Sequence, residues 1–138
     1  MDIYLRPSES IKQLGLWAQK STPTDACFLV NPRWDIFRAI SMRSVFVTWK
    51  DGAAILWDKT YVKPWSERLM MLGYDINRET VAYPKSLYEQ LRDKDIMEFA
   101  SKQSIDYWVV PIDHPTGLHT IFHNDRFKVL EIAPITTP

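Results

Sequence analysis

Between Ala26 and Thr48 two strand-length apolar runs are separated by a short stretch with helical spacing, and this order constrains the fold more than any other feature of the chain. The first run is Ala26 to Val30. Trp34, Phe37, Ile40 and Arg38 then fall on neighbouring faces of a compact helical pattern from about Arg33 to Ser41. The second run, Ser44 to Thr48, is β-branched and aromatic and ends in Trp49-Lys50-Asp51-Gly52. Antiparallel strands are joined by tight hairpins, whereas parallel ones need a crossover, so strand, helix, strand predicts a parallel pair.

The remaining segments extend this core. Asp2 to Pro7 reads as a lead-in without periodicity, and Ser10 to Gln13 has the capping-box form ahead of Ile11, Leu14, Trp17 and Ala18. Pro23 ends that helix by about Lys20. Ala54 to Leu72 repeats nearer the helical than the strand period, broken or kinked at Pro64 and closed by Gly73 as a left-handed cap. Tyr74 to Tyr83 reads as an exposed loop. Leu87, Tyr88 and Leu91 form an apolar stripe, and Asp93 caps a further helix carrying Ile96, Met97, Phe99 and Ala100. Ile105 to Pro111 is nearly continuous in apolar character and reads as a central strand. Thr120 to His123 and Phe127 to Ile132, joined by Asn124-Asp125-Arg126, read as a closing hairpin. The expected fold is a single α/β domain over residues 1–138, three-layered, with a mainly parallel sheet of about five strands and a C-terminal antiparallel hairpin.

Composition narrows the functional classes. Seventeen basic residues balance seventeen acidic ones, which removes the electrostatic footprint of a nucleic-acid binder. Only four Gly are present, and no phosphate-loop or dinucleotide fingerprint occurs. Cys27 is the single cysteine, so no internal disulfide can form, and its place in an apolar run predicts an inert buried thiol. No apolar run approaches the roughly 20 residues of a membrane span. His119 and His123 have the spacing of a helical zinc pair, but a strand separates such residues by about 13 Å, so no zinc site is expected.

In a parallel sheet the three strand ends share one edge, where ligands of open α/β sheets bind. That edge would gather Trp34, Asp35, Trp49, Lys50, Asp51, Asp113 and His114, a set suited to a polyol, sugar or anionic headgroup. The same tryptophans can equally be lids over the core. Asp51 with His114 has the composition of a general base and its orienting carboxylate, but no nucleophile motif accompanies it, and no catalytic residue is assigned. Arg38 and Arg43 suit phosphate through the guanidinium fork, or else pair locally with carboxylates such as Asp35. Trp57, Tyr61 and Trp65, flanked by Lys59, Lys63 and Arg68, suit either a core stripe or a surface lying on a partner.

Four stretches carry a family likeness: Trp17 to Ala26 ("W-x-x-x-x-T-P-x-D-A"), Phe37-Arg38 with Arg43 and Trp49-Lys50, Ser104 to Val110 ("x-x-D-Y-V-V"), and Phe122 to Val129 ("Y-E-N-D-R-F-x-V"). In this order they resemble the extracytoplasmic C-terminal domains of integral-membrane glycosyltransferases of the GT-C type, including oligosaccharyltransferase catalytic subunits. They are more closely similar to a related uncharacterised bacterial family of multispanning membrane proteins. The acceptor-contacting Trp-Trp-Asp motif of oligosaccharyltransferases is reduced here to Trp34-Asp35, preceded by Arg33. The metal-binding carboxylates of such enzymes belong to membrane loops that this chain lacks. The resemblance therefore implies an accessory domain, without cofactor or metal, on the extracytoplasmic face of a membrane. Its implied partners are the membrane part of the same polypeptide and an acceptor or lipid-linked sugar. A free-standing α/β domain that binds or transforms a small ligand in the strand-end crevice is the alternative.

Overall fold

A computed structural model describes residues 2–34, 36–48, 51, 62–74 and 85–132. Helix α1 (Asp2–Ser21) leads into strand β1 (Cys27–Leu29), helix α2 (Phe37–Ser41) and strand β2 (Ser44–Val45). Helix α3 (Val62–Met71), a 3-10 helix (Lys85–Gln90) and helix α4 (Asp93–Gln103) precede strands β3 (Tyr107–Pro111), β4 (His119–His123) and β5 (Phe127–Glu131). The five strands form one mixed sheet in the order β2-β1-β3-β5-β4. β1 pairs in parallel with β2 and β3, and β5 pairs antiparallel with β3 and β4. The chain is thus an α/β domain whose parallel half meets an antiparallel hairpin at the central strand β3.

Successive side chains of a strand face opposite sides, and the sheet here carries a core on each. Phe28, Val30, Val45, Val109 and Val129 pack with Ile11, Leu14 and Ala18 of α1 and Phe37 of α2. Leu29, Trp108, Val110 and Leu130 pack on the other side with Leu69, Tyr88, Leu91, Ile96 and Ala100. Trp108 is wholly buried. The continuous apolar run of β3 follows from its central place, since both of its faces are covered.

Several local expectations are corrected. The 2–7 stretch is helical, and α1 runs through Pro7 and through the Ser10 capping box, so no cap forms there. α2 is five residues long because the 31–34 segment is held as a turn: Asn31 accepts from the Arg33 amide at its side chain (3.0 Å) and from the Trp34 amide at its carbonyl (2.9 Å). β2 is two residues, although the Phe46 amide still donates to Phe28 O at 2.8 Å. α3 itself runs through Pro64, and the 52–61 segment ahead of it lies outside the described residues. Pro64 is the third residue of that helix, where a backbone N–H has no intrahelical partner to lose. Gly73 does adopt the left-handed conformation, with φ 95°. Tyr74, expected in an exposed loop, is buried, while 75–84 and 52–61 lie outside the described residues. Asp93 is the first residue of α4 and not its cap. Its carboxylate accepts from Thr116 Oγ1 (2.6 Å) and the Gly117 amide (2.7 Å), fastening the β3–β4 loop, while Asp95 accepts from the Arg92 amide (2.8 Å) and closes the helix start.

The β4–β5 register contains an irregularity between Thr120 and Phe122. His119 pairs with Glu131 and His123 with Lys128, partners an odd number of residues apart. The two imidazoles therefore stand on opposite faces of the sheet, which adds a second reason against a shared ion.

α1 and α2 approach closely at Gly15. A Cβ placed there would stand 2.6 Å from Ile40 Cγ2 and 2.8 Å from Ile40 Cβ. Alanine normally favours a helix interior over glycine by about 1 kcal/mol, but here it must displace a β-branched side chain at its root. Gly15→Ala is expected to destabilise by about 1–3 kcal/mol in urea melts, and Ile40→Ala added to it should recover part of the loss. A stabilised single variant would show that the helices can separate at no cost.

Candidate functional site

β2 is an outer strand of the sheet, and a groove of about 740 Å³ lies along it. Arg38, Arg43 and Arg68 line it together with Asp25, Asp51 and Cys27. Met42 and Ser104, the left-handed C-caps of α2 and α4 (φ 57° each), stand at its rim.

Arg43 is buried and acts as a structural joint. Its Nε donates to Thr22 Oγ1 (3.1 Å), Nη1 to Met42 O (3.1 Å) and Ser41 O (3.4 Å), and Nη2 to Gln19 O (2.9 Å) and Thr22 O (2.8 Å). A guanidinium has five N–H groups, and all are engaged. The carbonyls it meets include those at the C-terminus of α1, which lack intrahelical partners and carry the negative end of the helix dipole. Arg43 thus contributes charge to the groove without offering a donor, and among the described residues it pairs with no carboxylate.

Arg38 points outward from α2. Its Nη1 and Nη2 donate to the two oxygens of Asp51 at 2.7 and 3.0 Å, and Nη2 also reaches Val45 O at 3.5 Å. The Arg38 side chain is 44% exposed and that of Asp51 14%. Asp51 also accepts from the Thr48 amide (3.0 Å), and its own amide donates to Thr48 Oγ1 (3.2 Å), so one carboxylate holds both the turn after β2 and the guanidinium fork. Burial pushes the Asp51 carboxyl up, but the bonds from Arg38 and Thr48 and the Arg38 charge outweigh it and hold the group below its usual range. Arg68, on α3, donates from Nη1 to Phe46 O (2.8 Å) and lies 5.1 Å from the centre of the Phe46 ring. Cys27 is half-buried, and its thiol is pushed up by burial and by Asp106, with Arg68 and Arg38 acting in the opposite sense.

The fold brings Arg38, Arg43 and Asp51 to this groove and places Trp34, Asp113 and His114 elsewhere. Asp35, Trp49 and Lys50 lie outside the described residues, as do Trp57 and Tyr61. Trp34 packs edge-on against Phe127, with ring centres 4.8 Å apart, on the face covered by α1 and α2. His114 packs edge-on against Trp108 at 5.2 Å in the core of the opposite face. Its Nε2 bonds to Leu91 O at 2.9 Å, so that nitrogen carries the proton, and Lys128 Nζ donates to His114 O at 2.8 Å. Asp113 is exposed. Asp51 and His114 therefore engage different partners, and the pairing of base and orienting carboxylate does not form.

Between β1 and β3, where the strand order reverses, the Tyr88 hydroxyl lies 3.0 Å from Leu29 O and 2.8 Å from Val109 O. A tyrosine of the chain itself thus occupies the place where open α/β sheets receive ligands. Burial pushes the Tyr88 hydroxyl well above its ordinary value. The Trp108 indole N–H acts in the opposite sense, although it completes no hydrogen bond of good geometry. Arg68 and Tyr88 were not singled out as site residues from sequence, and only the folded chain brings them to strands β2, β1 and β3. Among the described residues no group of three His, Cys, Asp or Glu side chains is placed to hold a metal ion, and no helix is long and apolar enough to cross a membrane.

These features define an α/β domain with a mixed five-stranded sheet and an arginine-lined groove at its parallel edge. Residues 9–72 match the model of a domain of unknown function, DUF6798, a span that holds all three groove arginines and Asp51. No curated protein and no solved structure matches the chain.

Two measurements separate scaffold from site. Arg43→Ala strands several carbonyls in a buried setting and is expected to cost about 3 kcal/mol in denaturant melts. Arg38→Gln breaks a largely solvated pair and should cost about 1 kcal/mol or less; the reverse order would make Arg38 the joint. The second concerns acid. His114 is held below the ordinary imidazole range, first by burial and also by Arg92 and Lys128, against the Leu91 bond and Asp93. Because the unfolded chain takes up that proton first, stability must fall as pH drops below about 6.5. His114→Gln should melt with a shallower decline between pH 7 and 5.5, and identical slopes would contradict the assignment.

Proposed function

We propose that this chain is a non-catalytic binding domain of a membrane glycosyltransferase-like protein, facing the extracytoplasmic side. It holds the anionic end of a lipid-linked sugar or acceptor in the groove along β2. The observation that carries this reading is the Arg38 fork: a bidentate, part-exposed guanidinium that lines a groove of about 740 Å³ together with two further arginines. Guanidinium forks match phosphate and carboxylate oxygens in pairs, and neighbouring cations raise the local concentration of anions. The likeness of the four sequence stretches to GT-C C-terminal domains supplies the membrane context. The two cores fit a three-layer arrangement with a predominantly parallel working edge, in which β2 and β1 face the groove and the hairpin lies away from it. Binding without turnover agrees with the commitments of Asp51 and His114, each already engaged by a structural partner.

The test is calorimetric titration of the domain with a short-chain polyprenyl diphosphate sugar. Submillimolar binding is expected, about tenfold weaker in Arg38→Gln, since one charge-assisted bidentate contact is worth roughly that factor. Equal affinities for the two proteins would remove the groove from the reading. Membrane-spanning segments in the reading frame that carries the domain are the accompanying expectation.

A further inference from the structure

Arg68 is the groove cation with a guanidinium edge to spare. Arg43 engages all of its N–H groups within the fold, and Arg38 turns both Nη groups to Asp51. Arg68 gives one hydrogen bond, from Nη1 to Phe46 O at 2.8 Å, and its guanidinium carbon lies 5.1 Å from the centre of the Phe46 ring. Among the described residues no acceptor meets its Nε–Nη2 edge, where a guanidinium presents two parallel N–H groups. We infer that this edge receives a phosphate group of the ligand, so that Arg68 recognises it alongside Arg38. This rests on the groove reading above and adds to it a second binding residue and a ligand chemistry.

Three observations fit Arg68 to that task. Its helix is fixed before any ligand arrives. Leu69, the next residue of α3, is wholly buried, and Trp65, one turn earlier, donates from Nε1 to Thr48 O at 3.1 Å. α3 is thus tied to the chain leaving β2 at two carbonyls, Phe46 O and Thr48 O, and a group held in this way has less freedom to lose on binding. Arg68 is also exposed, and it lines the groove close enough for its charge to act on the Cys27 thiol. The third observation selects the anion. Thr24, Ser44 and Ser104 line the same groove. A carboxylate commits both oxygens to one guanidinium edge, whereas a phosphate keeps further oxygens that such hydroxyls can meet.

Inorganic pyrophosphate, farnesyl diphosphate and malonate are the probes, titrated calorimetrically into the wild-type chain, Arg68→Gln and Arg68→Lys. Lysine keeps the charge and a donor for Phe46 O but offers no parallel pair, so both variants should bind pyrophosphate at least about tenfold more weakly than wild type. Malonate, which carries carboxylates alone, should bind the wild type at least about tenfold more weakly than pyrophosphate does; malonate binding as tightly would overturn the assignment to phosphate. With the Arg68 variants weakened, tighter binding of farnesyl diphosphate than of pyrophosphate assigns the phosphate to a lipid, and the opposite order to a soluble ligand; both orders support the inference. Cys27, the single thiol, gives a readout on the wild type that needs no variant to fold. A phosphate on Arg68 covers the thiol and offsets a cation that favours its thiolate, so saturating pyrophosphate should slow alkylation by iodoacetamide several-fold. If the wild type binds pyrophosphate while Cys27 alkylates at an unchanged rate, or folded Arg68→Lys binds as tightly as wild type, the Arg68 assignment is overturned, and the groove reading is decided by Arg38→Gln alone. If the wild type binds neither phosphate probe, both fall.

Discussion

The Arg43 guanidinium is the contact on which the parallel half of the molecule depends. It lies where three elements meet: the C-terminus of α1, the end of α2 and the start of β2. Burying a cation is costly unless every donor is satisfied, and here five hydrogen bonds take up the five N–H groups. In return the last carbonyls of α1 gain partners in a position shielded from water. α2 can then turn sharply through the left-handed Met42 into β2, which keeps the crossover short enough for β1 and β2 to be neighbours. The close approach of α1 and α2 at Gly15 belongs to the same joint, since a helix pinned at one end must pass near its neighbour along its length.

The groove follows from this construction. Its rim is made where helices α2 and α4 stop, each through a non-glycine residue in the left-handed region. Its floor is the outer side of β2, where Arg38 reaches Val45 O and Arg68 reaches Phe46 O. The cations that make the groove attractive to an anion therefore also satisfy backbone carbonyls at the edge of the sheet. A site of this kind needs no dedicated loop, which agrees with a chain that carries so few glycines.

Much of the framework was legible because hydrophobic pattern reports burial. The continuous run of β3 announced a strand covered on both faces, and the Asn124-Asp125-Arg126 step the hairpin between β4 and β5, whereas the alternation of β5 did not show that Val129 and Leu130 are buried on opposite faces. What was not legible depended on contacts distant in sequence. Arg38 meets Asp51, a carboxylate distant along the chain that spacing alone does not single out. Arg43 resembled a phosphate ligand because nothing local announces that the end of α1 folds over it. Tyr88 read as one apolar residue in a stripe, while its hydroxyl closes the strand-order reversal that composition had marked for a ligand. His114 lies at a strand end, as expected, but its ring turns into the core against Trp108. In each case the residue type was informative and its partner was not, since partners are chosen by packing and not by spacing.

The irregular register of β4 has a consequence for how the sheet meets other molecules. Among the described residues the sheet has two outer strands, β2 and β4. The first is two residues long, and guanidiniums reach Val45 O within it and Phe46 O just beyond it. The second changes parity partway along, so no straight strand can stay in step with it. Neither border offers a regular ladder of free amides and carbonyls to a passing chain. Among the described residues, then, growth by strand addition, the usual path from a small sheet to a fibre, finds no regular border.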